Sequence, residues 1–586
     1  MKDNKIFLRL TRYFKTPSWI YLLLFVVFTY LTFGSLFKTF FLQDEWQYFG
    51  SSIYALSTAH PILYTVLPFQ GQLTHFFPLA TLLFLGEYIL FKTNFAPYAL
   101  LGLLLHLANS FLLYKIVKTI SKNKIIALAS GWLFLINSIS HQPVTWIAAG
   151  IGTLPATSLL LISILAFTYF LENSKKKYFF LSIASLIGSL LFKEISLFVL
   201  IFIPAYWMFH SLFYKHKINK KLLTGFLSVG LFYFLLRLTF IFFQIRSQQP
   251  EIGEAGTAST TASIAVYLFR IITVSFKGLS QLFFPEKFLI GLSDNLVRVA
   301  YPQYIGADGA VNPFISQSIV FDLVCFLLTI IACIVAYLLL RSFIKEKQFS
   351  LVNTAVFGFL LAATSLLPFI FIPGKVGYFS IFEPRNLYIG VMGASILVVL
   401  LIYRVVNHLS KTQKNHVYLL IIFLTPLFLF HITTTRGNLQ KLEHTADIRK
   451  SLLNSIKDKY PKLPKTVIFY TESDTSYYGM PIEEKILPVQ SGFGRMLMVW
   501  YQDAEYFPGC LYQEQYLHGL LDQDYKNCSE RGFGYFRDYD KLVEAIKTNK
   551  VPIGNVISYS WSGKTEEFKD ITFEVRDRLG KEDNVR

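Results

Sequence analysis

The chain predicts an all-α polytopic membrane bundle of about eleven transmembrane helices, followed by a small C-terminal soluble α+β domain. Three observations carry this fold class. Of 586 residues, 53% are apolar, 17% aromatic and only 16% charged, too little charge for a soluble chain of this length. Uncharged apolar runs long enough to cross a bilayer recur along the first three quarters of the sequence. Beyond Arg436 the composition turns abruptly polar.

Trp19 to Phe37 holds nineteen residues without a charge, sufficient for the hydrocarbon core. No small-residue cleavage site follows, so this run reads as a retained first helix rather than a signal peptide. The spans fall at 19–41, 97–117, 125–140, 150–171, 178–192, 195–213, 222–244, 318–340, 352–372, 386–403 and 417–434. Lys and Arg distribution orients them. The segments 1–17, 115–124, 172–177, 214–221, 341–347 and 404–414 together hold 22 basic residues, against only Lys193, Lys375 and Arg385 in the short loops on the other side. By the positive-inside rule the N-terminus is cytoplasmic and the C-terminal domain extracytoplasmic, in a multi-pass protein of the cell membrane. The net charge of +18 is thus dispersed over loops, which argues against a nucleic-acid partner.

Two apolar stretches do not fit as crossings. Residues 75–92 belong to a long first outer loop, 42–96, with one or two membrane-hugging helices. Residues 263–290 read as an interfacial amphipathic helix, with Arg270 and Lys277 seven apart on one face, where such side chains commonly snorkel. The domains divide as 1–435 in the membrane and 436–586 outside it. In the second, Leu439, Leu442, Ile448, Leu452 and Ile456 recur at helical spacing until Pro461 and Pro464. Thr466–Tyr470 and Asn555–Ser560 read as strands and Asp540–Lys550 as a helix. Cys510 and Cys528 lie in this polar region and could pair; Cys325 and Cys333 lie within a span as packing residues.

The charges on the outer side are the candidates for chemistry. Asp44 and Glu45 stand directly after the first span, in Phe-Leu-Gln-Asp-Glu-Trp. The others are His141, Lys193, Glu194, Arg270, Lys277, Glu383 and Arg385. Charges at helix ends facing a bundle interior are costly and therefore functional suspects, although each also has a plain structural reading as a cap, an anchor or an ion-pair partner. Arg237, within a span, reads as a snorkelling or paired residue. Gly492-Phe-Gly-Arg495 is too short for a phosphate loop.

Several motifs, in order, resemble those of one family. Asp44-Glu45 resembles the acidic pair that opens the first outer loop of the membrane glycosyltransferases of the C superfamily. Ser-His-Gln-Pro-Val-Thr-Trp-Ile-Ala-Ala-Gly (140–150) is similar to the His-Pro-Val…Trp-Ile-Ala/Ser-Gly loop of the protein O-mannosyltransferase-like members that often carry tetratricopeptide repeats. His106-Leu-Ala-Asn109, Phe-Lys-Glu-Ile-Ser (192–196) and Glu-Pro-Arg-Asn-Leu-Tyr (383–388) are similar to their His-Leu-x-Asn, Lys-Glu and Glu-Arg-Tyr-Leu-Tyr motifs. The likeness covers about residues 19–435. This chain departs by lacking the repeats, by inserting Gln142 before the proline, and by reading Pro-Arg-Asn in the arginine motif.

The resemblance implies inverting transfer of a sugar from a polyprenyl-phosphate donor to an extracytoplasmic acceptor, whether protein, lipid or cell-envelope glycan. Asp44 would then be the catalytic carboxylate with Glu45 beside it. Arg385 and Lys193 would bind the donor phosphate, and His141, Glu194, Glu383, Arg270 and Lys277 would support them. A divalent cation, Mg²⁺ or Mn²⁺, is compatible with adjacent carboxylates, but only Glu87 could add to them in the 42–96 loop, so none is expected to be obligatory. Two other classes compete. A flippase of lipid-linked glycans calls for ionisable groups at mid-membrane and inverted repeats, whereas the charges here lie at one face. A non-catalytic scaffold with a cell-wall-binding outer domain would have no use for the ordered loop motifs.

Overall fold

The computed structural model describes residues 18–584 except 43, 67–75, 215–219, 247–263, 307–308, 310, 317–318, 371–381, 411, 475–491, 503–506, 514–515, 518–519 and 521–522. Each of the eleven predicted spans coincides with a helix among the described residues. Nine of them are long and apolar enough to cross a membrane. The other two are Lys124–Ile136 and Lys176–Phe192, at 13 and 17 residues.

The bundle has an inside and a rim. Ile147–Asn173 and Pro384–Leu409 lie at its centre, whereas Lys220–Arg246 and Ile319–Lys345 line its edge. On the edge, Leu231, Phe234, Leu235, Leu323, Ile331 and Tyr337 are exposed, as suits helices whose solvent is hydrocarbon. Ile147–Asn173 packs along Phe95–Ser121 and Lys176–Phe192, and Pro384–Leu409 along Phe349–Thr364.

The first outer loop is helical: Asp44–Leu56, Pro61–Val66 and Pro78–Phe91 fold against one another. The last helix is about 14 residues, too short to cross, consistent with the reading of 75–92 as part of this loop. The expected single amphipathic helix at 263–290 is instead two, Ile264–Phe283 and Glu286–Ala300, because Pro285 ends the ladder. The first of them packs on Ile319–Lys345 rather than lying free at the interface. Consequently Lys277 does not snorkel. It is buried and paired with Asp322 at 2.5 Å.

The last span and the charged helix after it are one element, Gln413–Lys459, 47 residues long. It stops before Pro461, as the sequence predicts. The chain then forms a five-stranded sheet in the order β2-β3-β1-β4-β5, with β1 Thr466–Ser473, β2 Asp524–Cys528, β3 Arg531–Phe536, β4 Val556–Ser562 and β5 Glu567–Asp570. β1 runs parallel to β3 and β4, and the two edge strands are antiparallel to their neighbours. Val467–Thr471 is buried without alternation, as expected for a central parallel strand covered on both faces. A disulfide joins Cys510 to Cys528.

Candidate active site

Asp44 and Glu45 open the Asp44–Leu56 helix, so both lie at its positive N-terminal end. Adjacent helical residues point about 100° apart, and the two carboxylates meet different surroundings. Glu45 is wholly buried. Its Oε2 accepts the Leu42 N–H at 3.2 Å and its Oε1 the Ala148 N–H at 3.0 Å. Ala148 is in the first turn of Ile147–Asn173, whose N–H groups have no partner within the helix. Glu45 therefore caps a central span, and the buried Arg449 lies close enough to stabilise its charge.

Asp44 is left facing charges. Burial raises its carboxyl above the ordinary value; Arg495 and Arg385 pull it back and Glu383 pushes it up. Tyr48, one turn on, feels Asp44, Glu45, Glu194 and Arg385, and its phenol is pushed well up, mainly by burial, so it stays neutral.

Arg385 is held on three sides. Its Nε pairs with Glu383 Oε2 at 2.5 Å and its guanidinium stacks on Trp146 with 4.6 Å to the ring centroid. Its backbone N–H donates to Gln142 Oε1 at 3.1 Å. Gln142, which interrupts the familiar His-Pro spacing, thus caps the Pro384–Leu409 helix. Lys193 sits between Lys176–Phe192 and the 3₁₀ turn Glu194–Phe198, with Nζ donating to Thr153 Oγ1 at 2.9 Å. Burial lowers its ammonium to about 8, Glu194 opposes that shift, and Arg385 adds to it.

His141 is turned away from proton transfer. Asn438 Nδ2 donates to its Nε2 at 3.1 Å, which leaves Nδ1–H to donate to Thr145 Oγ1 at 3.1 Å. Burial lowers it to about 4, so it is neutral at pH 7 and ties the 141–145 turn to the long Gln413–Lys459 helix. Deeper in the bundle two further motifs meet. His106 Nε2 donates to the Leu135 carbonyl at 2.8 Å, so its Nδ1 accepts the Tyr388 hydroxyl at 2.7 Å; Asn109 donates to the same hydroxyl at 3.2 Å. That chain fixes the helix carrying Arg385.

The structure therefore gathers Asp44, Lys193, Glu194, Glu383 and Arg385 into one field of charge. It keeps Glu45 and His141 beside them as braces. Arg270 and Lys277 are engaged elsewhere: Arg270 Nη1 donates to the Ile370 carbonyl at 3.3 Å, and Lys277 pairs with Asp322. Three residues at the site were not singled out as site residues from sequence: Tyr48, Arg449 and Arg495. The only signal for Arg495 was an arginine opening the apolar run Met-Leu-Met-Val-Trp-Tyr.

Among the described residues no three or more His, Cys, Asp or Glu side chains gather as a cation site. Since both Glu45 oxygens accept backbone N–H groups, a Mg²⁺ or Mn²⁺ here would take Asp44 and complete its shell with water or phosphate oxygens.

No family model matches the chain, and no curated protein matches it. Among solved structures it resembles the oligosaccharyltransferase of Archaeoglobus fulgidus in the apo form, at 13% identity over 72% of this chain and 56% of that one, with a TM-score of 0.39. It also resembles the same organism's oligosaccharyltransferase AglB in complex with an inhibitory peptide and a dolichol-phosphate, at 13% identity over 78% of this chain and 62% of that one, with a TM-score of 0.37. ArnT from Cupriavidus metallidurans in the apo state is similar at 12% identity over 93% of both chains, with a TM-score of 0.39. The chain spans little more than half of the apo oligosaccharyltransferase's length.

Proposed function

We propose that this protein is an inverting glycosyltransferase that uses a polyprenyl-phosphate sugar at the outer face of the cell membrane. The observation that carries the reading is the convergence of one carboxylate and two cations at helix ends. Asp44, Arg385 and Lys193 come from three separate loops, and burial perturbs both Asp44 and Lys193. In this reading residues 1–435 form the catalytic membrane domain and 436–586 an extracytoplasmic domain that helps position the acceptor.

The roles follow from charge. An acceptor hydroxyl attacks the anomeric carbon from the face opposite the phosphate, and the bond from that carbon to the phosphate oxygen breaks. The hydroxyl proton goes to Asp44, whose raised carboxyl is a better base than an exposed one. The electron pair leaves with the polyprenyl phosphate, whose growing charge falls to Arg385 and Lys193. Arg385 suits a bidentate fork and Lys193 a point contact. Glu383 occupies the guanidinium before the phosphate arrives. A divalent cation would add positive charge on the same phosphate. The acceptor is a hydroxyl on an extracytoplasmic protein, a lipid or a cell-envelope glycan, and the motif likeness favours protein O-mannosyl-type transfer.

The test is sugar transfer from a synthetic polyprenyl-phosphate mannose, and from other hexoses on the same lipid, by purified protein in detergent or nanodiscs. The expected result is transfer with inversion that Asp44→Asn abolishes. Full turnover by Asp44→Asn, or donor binding with no transfer to any envelope fraction, would reject the reading.

A further inference from the structure

We infer that Arg495, carried by the C-terminal domain, is a positioning residue for Asp44, so that the reaction centre is complete only when that domain is docked on the Asp44–Leu56 helix. The inference rests on the assignment of Asp44 as the base.

Arg495 lies in the Phe493–Tyr501 helix, which starts after Gly492 in a left-handed turn with φ +64°. The next glycine has no freedom to change. A Cβ on Gly494 would stand 2.6 Å from Tyr535 Cβ on β3, so this side of the helix is pressed against the sheet. Arg495, one residue further on, turns about 100° away from that contact. It meets the Asp44–Leu56 helix instead, donating from Nη1 to Gln47 Oε1 at 3.1 Å. The side chain is 1% exposed, an unusual depth for a guanidinium.

Gln47 is three residues after Asp44 and shares its helix face. The same face continues to Gly50, where a Cβ would lie 2.7 Å from Leu517 Cδ1 of the C-terminal domain. Two independent contacts thus clamp one face of the helix to the soluble domain, and the guanidinium is the charged member. Its effect on Asp44 is electrostatic: it favours the ionised carboxylate that burial disfavours. It also fixes Gln47, and so the pitch at which Asp44 meets the acceptor.

The experiment compares Arg495→Met, Arg495→Lys and Gln47→Leu with wild type, measuring kcat/KM against pH and thermal melting of the full chain. A removed cation should move the acidic limb of the Arg495→Met profile to higher pH and lower turnover at pH 7 by ~10-fold or more. Arg495→Lys should hold the limb near wild type while losing rate, because charge remains and the guanidinium contact to Gln47 is gone. Gln47→Leu should lose rate with the limb little moved. An Arg495→Met enzyme with wild-type rate and limb overturns the proposal. So does one that loses rate only in proportion to lost melting stability with the limb unmoved, which would make Arg495 a packing residue. If Arg495→Met does not fold, the limb of Arg495→Lys decides: a limb that moves to higher pH although the charge is kept refutes the electrostatic role. Failure of the underlying reading would show separately, as normal turnover by Asp44→Asn.

Discussion

Two groups of buried charge sit in this bundle, and they differ in what surrounds them. Lys277 meets Asp322 directly, and Arg270 meets a backbone carbonyl; each cation is answered locally and nothing is left to act on a ligand. At the other group, Lys193 donates to a hydroxyl rather than a carboxylate among the described residues, while Arg385, Glu383, Glu194 and Asp44 crowd one field. A paired charge is a structural device. A charge held near others by backbone capping and aromatic stacking can exchange its partner for a substrate. Residue type alone does not separate these cases; both groups are Lys and Arg in apolar surroundings, the first within the Ile264–Phe283 helix and the second at helix ends.

The sharpest break between them is Asp44→Asn. It keeps the shape and removes the proton acceptor, and general-base loss is worth ~10²–10⁴-fold in turnover. Transfer from the synthetic donor measures it, and a near-normal rate would move catalysis elsewhere. Arg385→Ala comes next, with a loss of ~10²–10³-fold for one charge-assisted contact to the leaving phosphate. Arg385→Lys should recover little, because the stack on Trp146 and the fork both go. Full rate in a well-expressed Arg385→Ala protein would place the phosphate with another cation.

A pH titration separates the two ends of the field. Lys193 binds as the ammonium, and burial brings its loss down to about 8, so activity should fall as pH rises through 8, by ~10-fold at pH 9. In the proposed reaction Asp44 acts as the carboxylate, so the other limb falls as pH drops through a value that burial raises above the group's ordinary one. Lys193→Arg should remove the alkaline limb only; a limb that stays would assign it to a different group. Glu45→Gln is expected to be milder, a few-fold in rate, with ~0.3–2 kcal/mol lost in melting from a weaker cap on Ile147–Asn173. If it were as damaging as Asp44→Asn, the two carboxylates would share the base role. The smallest effect on rate belongs to the second group. Lys277→Met should destabilise by ~1–3 kcal/mol through the stranded Asp322 yet leave turnover per folded molecule unchanged, and adding Asp322→Leu should restore the melting temperature. A rate loss tracking Lys277 with melting intact would bring it back into the site.

Much of this was legible in the residues because the bilayer leaves few solutions. Long apolar runs mark the nine helices among the described residues that are long and apolar enough to cross, since a lipid-facing backbone must satisfy itself within one helix. Prolines gave the end of the long helix at Lys459. The sheet was half legible: β1 and β4 are apolar runs, whereas β3, Arg-Gly-Phe-Gly-Tyr-Phe, carries two glycines that weaken a strand signal, and it forms because β1 and β2 pair with it. At the site, Asp44, Lys193 and Arg385 were visible as charges in apolar settings. The split between Asp44 and Glu45 was not, because it depends on which N–H groups an adjacent helix presents. The role of Arg495 was not legible, because it lies in a contact across 448 residues of chain.

The Gln413–Lys459 helix gives the protein a ruler. At 1.5 Å per residue its 47 residues reach about 70 Å, more than twice the hydrocarbon thickness. It is rooted among the spans, touches the 141–145 turn through Asn438, and ends at the sheet. A stiff mast sets the altitude of its load above the bilayer in a way a flexible tether does not. In the proposed reaction, acceptors would then present their hydroxyl at one height beside the lipid headgroups, and a compact folded partner that stands clear of the surface would be out of reach.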